Sequence, residues 1–202
     1  MLQRPILLAL LLTLTGCLSS QPRNISNVCD MFEDRRSWYE AAVRTEQRWQ
    51  VPVSVSMAFI YQESAFESRA RPARTRLLWV IPWVRPSDAF GYPQALDSTW
   101  NDYRESTGNF IARRANFADA VDFIGWYNAN SYRRNNIALH DARNLYLAYH
   151  EGNTGFDRRT YEGKQWLLDA AERVQRNADR YETQYEQCRN ELEMSWFGRL
   201  LD

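Results

Sequence analysis

The residues of this chain best suited to chemistry lie in Ile60-Tyr61-Gln62-Glu63-Ser64-Ala65-Phe66, where one carboxylate closes an apolar helical run between aromatic neighbours. Pro52 opens the preceding segment, residues 53–61, and a proline suits a first helical turn because no amide hydrogen is needed there. Glu63 therefore falls in the last turn of that helix, at the negative end of its dipole, with Phe59 and Ile60 four and three residues earlier on the same face. Both influences oppose ionisation. A carboxyl group kept neutral near physiological pH can donate a proton to a leaving group, as cleavage of a glycosidic bond requires. A solvated glutamate at a helix end would have the same local sequence, so this heptapeptide alone leaves both readings open.

Two other stretches carry groups a sugar could use. In Ala89-Phe90-Gly91-Tyr92-Pro93-Gln94-Ala95-Leu96-Asp97-Ser98-Thr99-Trp100, Gly91 permits close backbone approach to a ligand, and Gln94 offers an acceptor and donors for hydroxyl or acetamido groups. In Ala148-Tyr149-His150-Glu151-Gly152-Asn153-Thr154-Gly155, a tyrosine at a helix end precedes a glycine-rich turn, so its hydroxyl can project into a cleft and meet a carboxyl group. Each stretch alone also reads as an ordinary turn or core contact.

The elements that would hold these residues read as helices. Met31, Phe32, Trp38, Tyr39, Ala42, Val43 and Trp49 form one buried stripe at helical spacing. A run through Phe117, Ala118, Val121, Ile124 and Gly125 follows Asn116, a suitable cap, and another through Leu139, Ala142, Leu145, Tyr146 and Tyr149 is expected to stop at Gly152. Leu167, Ala170, Val174, Ala178, Tyr181, Tyr185, Cys188 and Leu192 mark a long helix near the C-terminus. Strand signals are sparse, so the expectation is a mostly α, compact domain with little or no β-sheet.

Taken in order, Glu63-Ser64 at a helix end, Gly91-x-x-Gln94-x-x-x-x-Thr99, a helical segment with a lone glycine, and Ala148-Tyr149-x-x-Gly152 resemble the soluble lytic transglycosylase domain of the lysozyme-like superfamily. The resemblance covers roughly residues 38–166. It matches Glu63-Ser64 to the family's catalytic motif, Gly91-Tyr92-Pro93-Gln94 to its Gly-Leu-Met-Gln motif, and Ala148 through Gly152 to its Ala-Tyr-Asn-x-Gly motif. Tyr92-Pro93 replaces Leu-Met, His150 replaces Asn, and an insertion separates Glu63 from Gly91. Across that insertion, Ser87 aligns with the family's cleft serine.

The resemblance implies a peptidoglycan lyase with a lysozyme-like fold and no cofactor, cutting between N-acetylmuramic acid and N-acetylglucosamine to leave a 1,6-anhydro end. Glu63 would act as acid and then base, Tyr149 would orient it, and Ser64, Gly91, Gln94 and Ser87 would line the cleft. Two-carboxylate glycosidases need a partner acid, and no obvious one stands out here, with Asp88, Asp97 and Glu151 left as the residues to test. A hydrolytic muramidase and a non-catalytic glycan-binding lipoprotein are the alternatives.

Residues 1–16, with Arg4 ahead of an apolar run from Ile6 to Leu14, read as a signal peptide, and Leu14-Thr15-Gly16-Cys17 resembles a lipoprotein lipobox with Cys17 as the lipidated residue. Residues 17–30 then form a tether and 31–202 the single domain. Leu18 after the cysteine favours the inner face of a Gram-negative outer membrane, so the expected partners are peptidoglycan strands and, through the anchor, the membrane. Machinery for wall turnover or secretion is a further partner compatible with this location. With Cys17 assigned to lipid, Cys29 and Cys188 pair as a disulfide. His140 and His150 lack zinc-ligand spacing, so no metal is expected. Acidic and basic residues balance at 25 each, with no basic excess to bind nucleic acid. Residues 77–84, Leu-Leu-Trp-Val-Ile-Pro-Trp-Val, sit among arginines and read either as an apolar loop beside the cleft, resting on the membrane or gripping glycan or a partner, or as part of the core.

Overall fold

The apolar run ahead of Glu63 has no polar face, so a helix made from it must be covered on all sides. The computed structural model of the chain, which describes residues 21–73, 76–77, 81–82 and 87–198, meets this requirement. Helix α3 (Val53–Ser64) has each of its first eight residues buried. Around it stand α1 (Val28–Asp34), α2 (Arg36–Trp49), α4 (Asp97–Thr107), α5 (Phe117–Asn135), α6 (Ala142–Asp157) and α7 (Gln165–Gly198). Helices α7, α2 and α5 pack directly on α3, and α6 reaches it through Tyr146 and Tyr149, whose rings lie edge-on to Phe59.

The fold is mostly α. Its strands among the described residues are one antiparallel pair, β1 (Arg76–Leu77) and β2 (Ile81–Pro82), with Arg76 opposite Pro82 and Leu77 opposite Ile81. This pair lies in the insertion between Glu63 and Gly91. Trp79 and Trp83 of the same insertion, and the leader with Cys17, lie outside the described residues. No helix among the described residues is long and apolar enough to cross a membrane.

Asn116 caps α5 as its position suggests, accepting the Asp119 amide at 3.2 Å. Three boundaries differ from the sequence reading. The stripe from Met31 to Trp49 spans two helices, because Arg35 (φ −134°, ψ 70°) breaks it. Helix α1 begins within the segment read as tether: the Asn27 side chain accepts the Cys29 and Asp30 amides, and Val28 is fully buried with its own amide on Gln184 Oε1 of α7 at 3.0 Å. Gly152 kinks α6 rather than ending it, because its φ of 74° and ψ of 154° turn the chain and helical backbone then resumes to Asp157. Helix α4 carries too few apolar residues to show a period in sequence, and it is seated by the buried Trp100 and Tyr103 alone.

An aromatic cluster locks the parts that frame Glu63. Trp38 of α2 stacks on Phe117 of α5 at 4.0 Å between centroids and on Phe66, just past α3, at 5.6 Å. Tyr92 meets the same indole edge-on at 5.8 Å. Such contacts contribute about 0.5–1.5 kcal/mol each beyond burial.

The disulfide between Cys29 and Cys188 joins α1 to α7 across 159 residues, with Cα atoms 6.1 Å apart. In the chain-entropy model a loop of this length constrains the unfolded chain by roughly 4–5 kcal/mol. We expect no free thiol in the denatured, unreduced chain that begins after Cys17, and a large fall in midpoint temperature on reduction. Two titratable thiols would contradict the pairing.

Candidate active site

Glu63 sits one residue from the end of α3, and its setting follows from helical geometry. Phe59 and Ile60, on the same face, are fully buried, and Phe59 is also the ring that Tyr146 and Tyr149 of α6 touch. Glu63 is thus delivered against the tyrosine face of α6. Burial pushes its pKa from 4.5 up to about 7, and a hydrogen bond from Tyr146 opposes that rise without cancelling it. The Tyr146 hydroxyl is itself held far above its ordinary pKa, first by burial and then by the Glu63 charge it faces, so it remains a donor at every working pH.

Tyr149 is placed differently from the sequence reading. Its hydroxyl donates to the Pro93 carbonyl at 2.5 Å, so its single proton is not available to orient Glu63. It stays close enough that the Glu63 charge, after burial, raises its pKa. The residue that orients Glu63 is Tyr146, three positions earlier and therefore on the same helical face. The Ala-Tyr motif drew attention to Tyr149, whereas Tyr146 was visible only as one apolar position in the α6 stripe.

The 91–94 turn is also built for a purpose other than the one expected. A Cβ on Gly91 would stand 2.3 Å from the Arg114 carbonyl oxygen, and its φ of 76° is one that L residues avoid. The close approach that requires glycine is thus to the chain's own backbone. Gly91 N–H donates to Ala70 O and Tyr92 N–H to Arg114 O, both at 3.0 Å. Gln94 spends its amide donors on Ala70 O at 2.9 Å and Gly91 O at 2.8 Å, leaving its side-chain oxygen as the group a ligand can use. Ser64 is buried and donates to Ile60 O at 3.2 Å. Ser87 is half-buried, just ahead of the bridge between Phe90 and Ala95 that closes the turn.

The backbone after Glu63 is strained. Ala65 (φ 47°) and Phe66 (φ 63°) are consecutive non-glycine residues in the left-handed region, where each costs of order 1–3 kcal/mol. They are held by Ala65 N–H on Tyr61 O, by Gln21 Nε2 on Ala65 O at 2.7 Å, and by the stack of Phe66 on Trp38. The reversal ends α3 directly after the carboxylate.

None of the three candidate partner acids is set up to serve Glu63. Asp97 pairs with Arg114 and is exposed. Asp88 is exposed as well. Burial of Glu151 works against ionisation, but hydrogen bonds from Lys164, Thr160 and His150 outweigh it and hold its pKa at about 2; both carboxylate oxygens bond Lys164 Nζ, at 2.8 and 2.7 Å. Among the described residues no second carboxylate shapes the titration of Glu63, and none gathers with others into a metal-binding group of three or more His, Cys, Asp or Glu.

A family model described as the transglycosylase SLT domain matches residues 5–188. The chain belongs to this family. No curated protein and no solved structure matches it significantly. Membership in the SLT family implies lytic transglycosylase activity on peptidoglycan. It also gives meaning to the chain's departures from the motif. Tyr92, in place of the usual leucine, is buried against Trp38 and Phe117, and Pro93 supplies the carbonyl that anchors Tyr149. His150, in place of the usual asparagine, faces away to bond Glu151 and touch Trp166. A pocket of about 280 Å³ against the Gly152 kink brings together Trp126, Tyr127, Asn130 and Asn153, an aromatic and amide set suited to a sugar that the motifs did not indicate.

Two measurements follow. Because folding raises the Glu63 pKa, the unfolded chain gives up this proton first as pH rises, so stability is lost between about pH 4.5 and 7. Glu63→Gln should match the wild type in urea unfolding at pH 4 and exceed it at pH 8 by at most about 3 kcal/mol; no widening of the gap would refute the buried-acid geometry. Tyr146→Phe removes the one hydrogen bond that lowers the Glu63 pKa, so the alkaline limb of kcat/KM should move upward, whereas Tyr149→Phe should leave it in place.

Proposed function

We propose that this protein is a lytic transglycosylase that cleaves peptidoglycan between N-acetylmuramic acid and N-acetylglucosamine without water, forming 1,6-anhydro ends. The reading rests on one observation: a half-buried Glu63 whose pKa is pushed up to about 7, with no second carboxylate among the described residues shaping its titration and with Tyr146 as its hydrogen-bond donor. At neutral pH a large fraction of such a group carries its proton. It donates that proton to the glycosidic oxygen as the bond to C1 breaks, and the resulting carboxylate is stabilised by Tyr146. The carboxylate then takes the proton of the substrate's C6 hydroxyl while that oxygen bonds to C1 and closes the anhydro ring. An internal hydroxyl has a high effective concentration, so ring closure outruns capture of water where the cleft positions it. A hydrolase would need a second carboxylate to hold and deprotonate water. In this scheme Gln94 contributes its oxygen to the sugar, and Gly91, Ser64, Ser87 and Tyr149 shape the walls.

The leader-like residues 1–16 and the lipobox-like Leu14-Thr15-Gly16-Cys17 support a periplasmic location with a lipid anchor at the inner face of the outer membrane, within reach of the proposed substrate.

Glu63→Gln keeps the shape and removes the transferable proton, so turnover should fall by roughly two to four orders of magnitude with glycan binding retained. Released muropeptides should be one water lighter than lysozyme products and lack a reducing end by mass spectrometry. Mainly reducing muramic acid ends would replace this reading with hydrolysis, and near wild-type digestion by Glu63→Gln would remove Glu63 from the chemistry.

A further inference from the structure

On the outer side of the 91–94 turn lies a pocket of about 740 Å³, within the range of sites that hold small ligands. Arg69, Arg71, Arg104, Arg113 and Arg114 line it, with Asp97 the one carboxylate among its lining residues. Asp97 is committed to Arg114, which also donates to Ala95 O at 2.7 Å. Arg71 lies over the Phe90 ring at 4.4 Å, a contact that leaves its charge unneutralised. Arg104 donates to the Phe110 carbonyl, and its Nε is buried without a partner. Arg69 and Arg113 are exposed; the Arg113 amide N–H donates to the Asp119 carboxylate at 2.9 Å, but among the described residues neither guanidinium forms an ion pair. A concave surface with four unneutralised guanidinium groups calls for an anion, and the planar guanidinium fork matches carboxylates in bidentate geometry.

We infer that this pocket binds the anionic stem peptide of the glycan strand, the arginines taking its carboxylates. The inference rests on the proposed function and names a part of its substrate that Glu63 does not touch. The pocket and the active site share one wall. Ala70 and Arg114, neighbours or members of the arginine set, hold Gly91 and Tyr92 by hydrogen bonds at 3.0 Å, while Pro93 in the same turn carries Tyr149 beside Glu63. A stem of four or five residues extends about 13–18 Å from its muramyl unit, and the 91–94 turn, which Ala70 and Arg114 hold on one side and Tyr149 on the other, is the element it would pass. Phe110 and Ile111, 61% and 89% exposed, border the pocket through the Arg104 contact and offer apolar area to the alanine methyls of such a peptide. An anionic membrane surface presents the same charge, but a broad lipid surface does not enter a pocket, so the concavity favours the peptide.

The test compares the full chain in detergent with its R69E/R113E variant, which alters exposed side chains outside the catalytic machinery. On strands bearing stem peptides, kcat/KM should fall about tenfold or more, the scale of losing charge-assisted hydrogen bonds. On strands stripped of peptides by an amidase it should not change, and R69K/R113K should retain most of the preference for stemmed strands. Equal loss on both substrates, or no loss on either, overturns the inference. Calorimetric titration with synthetic alanyl-γ-glutamyl-diaminopimelyl-alanine reads the pocket without catalysis: wild type should bind and R69E/R113E should bind at least about tenfold more weakly. Should the wild type cleave neither strand, the proposed function fails while this titration still decides the pocket. Failure of the wild type to bind the tetrapeptide, or a variant defect confined to phosphatidylglycerol vesicles, assigns the arginines to another role.

Discussion

The structure depends on taking much of one carboxyl group out of water without giving it a charge partner. Taking a carboxylate out of water is costly, and a protein usually offsets this with a cation or lets the group stay protonated. Glu151 takes the first course, with Lys164 bonded to both of its oxygens. Glu63 takes the second, and only the Tyr146 hydroxyl softens its burial. Two acids of the same type, on helices that pack into the same core, therefore titrate about five units apart, with values near 2 and near 7. The difference leaves Glu151 ionised and neutralised by Lys164, and Glu63 poised near neutrality.

The elements around Glu63 hold that environment in place. Helix α3 is buried along its first eight residues, and α7, the longest helix among the described residues, covers it and is tied to the N-terminal segment by the disulfide. The aromatic group around Trp38 brings α2, α5, the reversal after α3 and the 91–94 turn to a single point. Strain at Ala65 and Phe66 persists because these contacts overdetermine the backbone there.

The motif residues divide into two kinds of work. Glu63 is the group whose acidity burial shifts toward neutrality. Gly91, Ser64 and most of Gln94 act on the protein's backbone: glycine lets two strands of chain touch, serine closes the α3 terminus, and the glutamine amide clamps the turn to Ala70. Tyr149 anchors that turn through Pro93. A motif can thus owe much of its residue pattern to the backbone contacts that keep a turn rigid.

Local sequence determined a good deal of this protein. The apolar run with Pro52 before it, the Asn116 cap, the long C-terminal stripe and the odd cysteine count are short-range or compositional signals, and they led to α3, the start of α5, α7 and the Cys29–Cys188 bridge. The position of Glu63 at a helix end beside Phe59 and Ile60 was equally legible, because spacing within one helix fixes which residues share a face. Tertiary structure alone decided the rest. Which tyrosine of α6 meets Glu63 depends on the rotation of α6 against α3, and one helical face presents Tyr146 and Tyr149 alike. Whether Gly91 serves a ligand or Arg114, and whether Glu151 is a spare acid or a neutralised one, depends on chain brought from 23 and 13 residues away. The convergence of Arg69, Arg71, Arg104, Arg113 and Arg114 has the same origin, since only folding adds charges that the sequence scatters over three separate segments.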